Sequence, residues 1–106
     1  MRLLDSVEAW DETTIRCRTA THRDPDHPLR YRGRLSVSVG LEYAAQAMGV
    51  HAGLLDRDRQ MEGRIGYVGS VRDVVFGADR LDDTEYDLTV EATRLAEGAQ
   101  SYMYRF

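Results

Sequence analysis

One apolar segment dominates the chain: residues 39–55 (VGLEYAAQAMGVHAGLL), whose pattern predicts a long helix that is apolar on nearly every side. Its few polar positions fall close together. At about 100° per residue, Gln46 lies roughly 40° from Glu42 around the helix axis, and Gly49 and Gly53 lie within about 20° of Glu42. Helices of this type lie inside domains, so we expect the Glu42 carboxylate to be withdrawn from water and to have a function.

Alternation of apolar and polar residues predicts strands on both sides of this helix. The clearest alternation is in residues 86–94 (YDLTVEATR). The turn at Glu97-Gly98 is too short for a crossover, so the last two strands should form an antiparallel pair. The predicted strands are residues 3–9, 13–20, 63–76 and 86–94, followed by a last strand whose apolar side carries Gln100, Tyr102, Tyr104 and Phe106.

A long loop over residues 21–34 (THRDPDHPLRYRGR) precedes the helix and contains both prolines. Loops of this length in a compact domain are usually either functional or disordered. Residues 77–85 read as an acidic turn. One helix wrapped by an antiparallel sheet is an α+β arrangement, and a chain of 106 residues rarely divides into two domains.

The composition narrows the functional classes. With 42% hydrophobic and 30% charged residues, the chain is an ordinary globular sequence, and its net charge of −4 does not favour a nucleic-acid partner. The single cysteine, Cys17, excludes an internal disulfide and suits a reducing cytoplasm. We expect no membrane partner, because no stretch reaches the roughly 18 apolar residues that a span needs. The sequence contains no Cys/His cluster of the kind that predicts a metal site, so none is expected.

The loop and helix together, DHPLRYRGRLSVSVGLEYAAQAMGVHAGLL, resemble the hotdog-fold 3-hydroxyacyl-acyl-carrier-protein dehydratases, most closely the small variants that accompany aryl-polyene and polyketide synthesis. In that family a His-x-Pro-type loop precedes a buried helix whose first turn bears a carboxylate, followed by an Ala-Gln pair; in this chain His27 is followed directly by Pro28. The matching positions are His27, Glu42 and Ala45-Gln46. The resemblance implies one hotdog domain over residues 1–106, and a further strand of the family pattern after Phe106 is expected from a partner or a longer chain.

The resemblance implies a lyase of the fatty-acid or polyketide type, which removes water from a 3-hydroxyacyl thioester and leaves the 2-enoyl thioester. This reaction needs a base for the proton on carbon 2 and an acid for the departing hydroxyl. Imidazole titrates near working pH, so His27 is the candidate base. A carboxyl on a buried helix is kept protonated by desolvation, so Glu42 is the candidate acid.

Residues around the start of the helix are candidates for binding the substrate. Free amides around Ser38 and Val39 would stabilise the negative charge that develops on the thioester carbonyl, and Val37 beside them is a further candidate for binding the substrate. Gln46, one turn after Glu42, could orient the carboxyl through a hydrogen bond. Gly49 would either line the base of a narrow acyl tunnel or let a strand pack close to the helix.

The expected partner is an acyl carrier protein, whose phosphopantetheine arm would deliver the thioester, so no cofactor of the chain's own is expected. Arg30, Arg32 and Arg34 are candidates for docking this acidic carrier and its phosphate, because guanidinium forks suit phosphate. The resemblance also implies that His27 and Glu42 of one site come from different subunits. The assembly would then be a homodimer, or a heterodimer with a related hotdog subunit.

Two other functions stay open at this point. The first is a thioesterase on the same fold, in which Glu42 activates water, and the second is a non-catalytic subunit that partners a complete dehydratase. The other two histidines are expected outside the site. His22 should face solvent, and His51 should pack in the core, since it lies about 180° round the helix from Glu42.

Overall fold

The computed structural model describes residues 2–58, 70–98 and 101–106, and within these ranges it contains four strands and one long helix. The predicted α+β class is confirmed. The elements, in chain order, are β1 (Ser6–Trp10), β2 (Thr14–Thr19), α1 (Gly40–Asp58), β3 (Leu88–Glu97) and β4 (Tyr102–Arg105).

The strands form one antiparallel sheet in the order β1-β2-β3-β4, and the pair formed by the last two strands is as predicted. Alternation along β2 separates the two faces of the sheet. Ile15 and Cys17 are fully buried. Arg16 between them points outward, where its Nε lies 2.9 Å from Glu91 of β3, its partner in register. The face that carries Ile15 and Cys17 therefore receives the helix.

The helix begins one residue later than predicted and ends three residues later. A 3₁₀ turn over Val37–Val39 leads into α1, and the Ser36 side chain accepts the amide of Ser38 at the start of that turn (3.3 Å). The side of α1 that faces the sheet carries Tyr43 and Ala47, which join the main core cluster. The members of that cluster that are buried are Leu3, Leu4, Ile15, Cys17, Tyr43, Ala47 and Ala92.

The helix lies against one face of the sheet and is not enclosed by it, so the prediction that α1 is buried on nearly every side is wrong. Gly49, Val50 and Gly53 are exposed on its outer side. None of the helices in the part of the chain that the structure describes is long and apolar enough to cross a membrane.

His51 joins three separate parts of the fold, as its predicted packing role requires. Its Nε2 lies 2.7 Å from the backbone carbonyl of Asp11, and its Nδ1 lies 2.6 Å from the Tyr104 hydroxyl. Because a carbonyl only accepts, Nε2 is the nitrogen that carries the proton and Tyr104 donates to Nδ1. The helix is thereby tied to the β1–β2 turn and to β4.

The predicted strand over residues 63–76 is not confirmed. Residues 63–69 lie outside the described part of the chain, and residues 70–76 do not belong to a strand. Val75 is 90% exposed, and Asp73 has a φ of 56°, which is not an extended conformation. The prediction is therefore wrong for residues 70–76, and it stays untested for residues 63–69.

Candidate active site

His27 lies in the loop between β2 and α1 and is buried against the helix, with 5% of its surface exposed. Its Nδ1 accepts the backbone amide of Leu29 (3.1 Å), and its Nε2 lies 3.1 Å from the hydroxyl of Tyr43. The imidazole is thus held at both nitrogens by its own chain. Burial lowers the pKa of His27, the nearby Arg30 lowers it further, and Asp24 acts in the opposite direction.

The hydrogen bonds continue beyond Tyr43 into the N-terminal segment. The Tyr43 hydroxyl lies 2.8 Å from Oγ1 of Thr21, which donates to the carbonyl of Leu3 at 2.6 Å. Thr19 donates to the same carbonyl at 2.6 Å. All of these groups are buried or nearly so, and the chain of hydroxyls ends on a group that can only accept.

Two arginines and one aspartate fix the loop that carries His27. The Asp82 carboxylate receives Nε and Nη2 of Arg80 and Nη1 of Arg30, each at 2.7 Å. The hydrogen bonds from Arg80, together with those from Arg30 and from backbone amides, hold the pKa of Asp82 well below its usual range. Arg30 also donates to the carbonyls of His22 and Asp24 (3.2 and 2.8 Å).

The arginines expected to dock a carrier protein therefore separate into two kinds. The Arg30 guanidinium is engaged inside the loop by Asp82 and by backbone carbonyls, so its predicted docking role would require it to exchange these partners. Arg32 and Arg34 are exposed at the tip of the loop. Tyr31 and Arg34 exchange two backbone hydrogen bonds there (2.8 and 3.1 Å), and Arg32 and Gly33 between them have φ angles of 53° and 74°. This is the geometry of a tight two-residue hairpin.

His22 is buried and does not face solvent, so that prediction is wrong. Its Nε2 lies 2.9 Å from the carbonyl of Tyr86, which closes the loop against the segment before β3. Burial lowers the pKa of His22.

Glu42 is exposed in this chain, which corrects the expectation of a carboxylate withdrawn from water. It lines a cleft of about 370 Å³ on the outer side of α1. The rest of the described lining is apolar and consists of Leu41, Ala45, Met48, Val71 and Phe106. A carboxylate beside an apolar cleft of this size is a suitable place for an acyl chain with a polar group at one end.

The amides expected to receive the thioester carbonyl are already used within the chain. The amide of Val37 donates to the carbonyl of Asp79 (3.0 Å), and that of Val39 donates to the carbonyl of Ser36 (3.0 Å). The amide of Ser38 donates to the Ser36 side chain. The prediction that the amides of Ser38 and Val39 are free is therefore wrong, and the amide of Val37 is engaged as well.

Gln46 contacts the N-terminal segment. Its side-chain oxygen accepts the amides of Leu3 and Leu4 at 2.8 and 3.3 Å. Gln46 therefore anchors the chain before β1, and its expected role in orienting Glu42 stays a prediction. Gly49 is exposed on the outer side of α1, and a Cβ placed there would meet no described atom within 4 Å, so none of the described strands packs closely against it.

Within one chain the two candidate catalytic residues lie on different sides of the helix start. His27 contacts Tyr43 on the side that faces the core, whereas Glu42 lies about 100° away round the helix, beside the outer cleft. The residues that the sequence analysis missed are Tyr43 and Thr21. A hydroxyl-bearing side chain at the position after Glu42, on the buried side of the helix, was the available signal. Among the described residues, no group of three or more His, Cys, Asp or Glu side chains could hold a metal ion.

Comparison with curated proteins and with solved structures gave no match. One family model matches, and it does so over the whole chain, residues 1–106; its description is ApeP-like, ApeP dehydratase.

Proposed function

Because this chain belongs to the ApeP-like dehydratase family, we propose that it removes water from a 3-hydroxyacyl thioester carried by an acyl carrier protein. The product is the 2-enoyl thioester, in synthesis of the fatty-acid or polyketide type. The fold that we propose for this activity is the hotdog fold. An antiparallel sheet with one long helix against it, in the order described above, supports this assignment.

The observation that carries the proposal is the position of Glu42 beside the apolar cleft. In the proposed reaction the base His27 takes the proton from carbon 2, and the electron pair of that C–H bond forms the double bond. The carbon–oxygen bond at carbon 3 breaks, and Glu42 gives its proton to the leaving hydroxyl, so that water departs. Exchange of protons with solvent then restores neutral His27 and protonated Glu42.

A second subunit supplies what the single chain lacks. Glu42 is exposed on the outer side of α1, whereas an acid role requires its carboxyl to be withdrawn from water. A partner packed over that side would exclude water from the cleft and bring its own His27 loop towards Glu42. We therefore propose a homodimer, or a heterodimer with a related subunit, as the catalytic unit.

The carrier protein is proposed to dock at the exposed hairpin that carries Arg32 and Arg34. Both guanidinium groups are exposed there, and Tyr31 beside them is 73% exposed. An acidic carrier and the phosphate of its arm have the charge that this tip would attract. The arm would deliver the thioester, so the proposed reaction uses no other cofactor.

The direct test is incubation of the purified protein with a 3-hydroxyacyl carrier-protein thioester, followed by mass spectrometry of the carrier. Loss of one water is the expected result. Glu42→Gln should lower the rate by about 100-fold or more, since positioned acids contribute at least that much. Glu91→Gln, which changes an exposed carboxylate on the outer face of the sheet, is the matched control and should retain the rate.

Two other outcomes would overturn the proposal. Release of free acid and thiol would identify a thioesterase. If no product forms, and water is lost only after a related subunit is added, even with Glu42→Gln in this chain, then the chain is the non-catalytic partner. The closed arrangement of His27, with both ring nitrogens bonded within its own chain, is the observation that favours this second candidate.

A further inference from the structure

The exposed hairpin before α1, residues 31–34 (YRGR), presents two arginines whose charges are not neutralised by a carboxylate of the described chain. Among the described residues, neither the Arg32 nor the Arg34 guanidinium takes part in an ion pair. The Arg32 guanidinium lies over the ring of Tyr31, with its central carbon 5.3 Å from the ring centre. This contact orients the positive charge of Arg32 and leaves it available to an anionic partner.

The backbone of Arg32 has a conformation that arginine rarely adopts. Its φ is 53°, and that of Gly33 is 74°. Both central positions of such a hairpin turn require a positive φ, and asparagine, aspartate or glycine is the usual residue at the first of them. An arginine at this position carries a backbone cost, which indicates that its side chain has a use there.

The base of the hairpin is held by one buried carboxylate from a distant part of the sequence. Arg30, just before the hairpin, donates from Nη1 to the Gly33 carbonyl at 3.1 Å and to Asp82 at 2.7 Å. Leu35, just after the hairpin, accepts the amide of Leu81 at 2.8 Å, and its own amide forms a hydrogen bond with the Asp82 carboxylate. The Asp82 side chain, which is 3% exposed, therefore contacts both ends of the hairpin.

We propose that Asp82 is a positioning residue for recognition of the carrier protein. Through Arg30 and Leu35 it holds the hairpin in one conformation, and this conformation presents the two exposed arginines to the carrier. The inference rests on the proposed function, because it explains how the proposed docking hairpin is kept ready to bind. A hairpin that is ordered before binding loses less conformational entropy when the complex forms, so the affinity is higher without any new contact.

Recognition by charge alone would give the opposite result in one variant. Asp82→Asn removes a negative charge next to the hairpin, so this side of the chain becomes more attractive to an acidic carrier. If only the sum of the charges mattered, KM for the carrier-bound substrate would fall. If the conformation of the hairpin matters, KM rises although the charge has become more favourable. The sign of the change in KM therefore separates the two explanations.

The kinetic test uses the ratio of two kcat/KM values. The first is for a 3-hydroxyacyl thioester on an acyl carrier protein of fatty-acid synthesis, and the second is for the same acyl group on pantetheine. A general loss of activity or of folded protein cancels in this ratio. In Asp82→Asn we expect the ratio to fall roughly fivefold, through KM for the carrier. Arg30→Lys keeps the charge but loses the fork that joins Gly33 to Asp82, so it should also lower the ratio.

Two control variants separate positioning from loss of charge and from loss of stability. Asp83→Asn removes the same charge from the exposed neighbouring residue and should not lower the ratio. Tyr104→Phe removes a buried hydroxyl that contacts His51, and it should lower stability without changing the ratio. A ratio that stays constant or rises in Asp82→Asn would overturn the inference, and so would an equal fall in Tyr104→Phe.

A second measurement does not depend on activity. Tyr31 and Arg34 exchange two backbone hydrogen bonds (2.8 and 3.1 Å), so their amide protons should exchange with solvent about tenfold faster in Asp82→Asn than in the wild type. Titration with the same carrier protein, followed by ¹H–¹⁵N correlation spectra, should shift the signals of Arg32 and Gly33, with a weaker affinity in Asp82→Asn. Unchanged exchange in this variant, or a carrier that shifts neither signal, would overturn the inference.

The role of Asp82 and the proposed function can fail separately. If amide exchange and the titration are as expected and no dehydration is observed, the proposed function fails and the role of Asp82 in positioning the hairpin stands. If water is lost from the carrier-bound substrate and the ratio is unchanged in Asp82→Asn, the proposed function stands and the role of Asp82 is wrong.

Discussion

Asp82 is the residue whose replacement should loosen the loop of His27 most directly. Its carboxylate is 3% exposed and receives three arginine nitrogens at 2.7 Å. Asp82→Asn removes the charge that pairs with Arg30 and Arg80 and leaves one oxygen to accept their bonds. Breaking a buried ion pair costs about 3–5 kcal/mol. The side chains of Arg30 and Arg80 are 15% and 32% exposed, so water can replace part of the lost hydrogen bonding. We therefore expect the free energy of unfolding to fall by the lower end of this range, about 3 kcal/mol.

The measurement is urea unfolding of Asp82→Asn beside Asp83→Asn, which changes the exposed neighbouring carboxylate. The control should change the free energy of unfolding by less than about 0.5 kcal/mol. The pH dependence gives a second check. The pKa of Asp82 is lowered in the folded state, so its contribution is complete above the unfolded value of about 3.9 and is lost as the pH falls below it. A wild-type stability equal to that of Asp82→Asn at pH 7 would refute this reasoning.

Two further predictions concern the same loop. Burial lowers the pKa values of His22 and His27 below 6.5, so the unfolded chain binds more protons than the folded one below that pH. The free energy of unfolding should therefore fall as the pH drops from about 7 to 5. Replacing either histidine with glutamine should reduce this pH dependence, and an unchanged pH dependence would contradict the prediction. If the proposed docking is correct, the double variant Arg32→Ser, Arg34→Ser should raise KM roughly fivefold for the carrier-bound substrate. Its rate with a short pantetheine thioester should stay the same. An equal loss of kcat/KM with both substrates would contradict docking at the hairpin.

Strands β2, β3 and β4 were predictable because the periodicity of a strand shows which of its side chains are buried. Ile15 and Cys17 alternate with Arg16 and Arg18, and one face of such a strand must be buried while the other meets water. The helix was predictable for a related reason: the apolar segment over residues 39–55 indicated where α1 lies, and α1 covers Gly40–Asp58. His51 was also placed correctly, since its angle on the helix separated it from Glu42.

The site was less predictable because helix periodicity gives only relative angles and does not say which side meets the sheet. Glu42 and Tyr43 are adjacent in sequence, and Tyr43 took the buried direction because its ring fills the core and its hydroxyl finds Thr21. The same limit applies to the loop. The buried His22 forms a hydrogen bond with the carbonyl of Tyr86, 64 residues away in sequence, and Arg30 binds Asp82, 52 residues away. Partners so far apart in sequence leave no local pattern.

Substitutions on the outer side of α1 can distinguish the stability of one chain from the association of two subunits. Gly49 lies within the helix, and a Cβ there would meet no described atom within 4 Å. Gly49→Ala should therefore raise the free energy of unfolding of an isolated chain by about 0.5–1 kcal/mol, as replacing glycine in a helix does. Gly49→Gln should also fold, because glutamine suits a helix and this position is open.

The two variants should differ in assembly if a second subunit covers this side. In that case Gly49→Gln should prevent close approach, so that sedimentation equilibrium shows monomers and the dehydration of the carrier-bound substrate is lost. Gly49→Ala should retain both the dimer and the activity. If Gly49→Gln remains an active dimer, the subunits meet elsewhere, and the desolvation of Glu42 that the proposed acid role requires must come from the substrate itself.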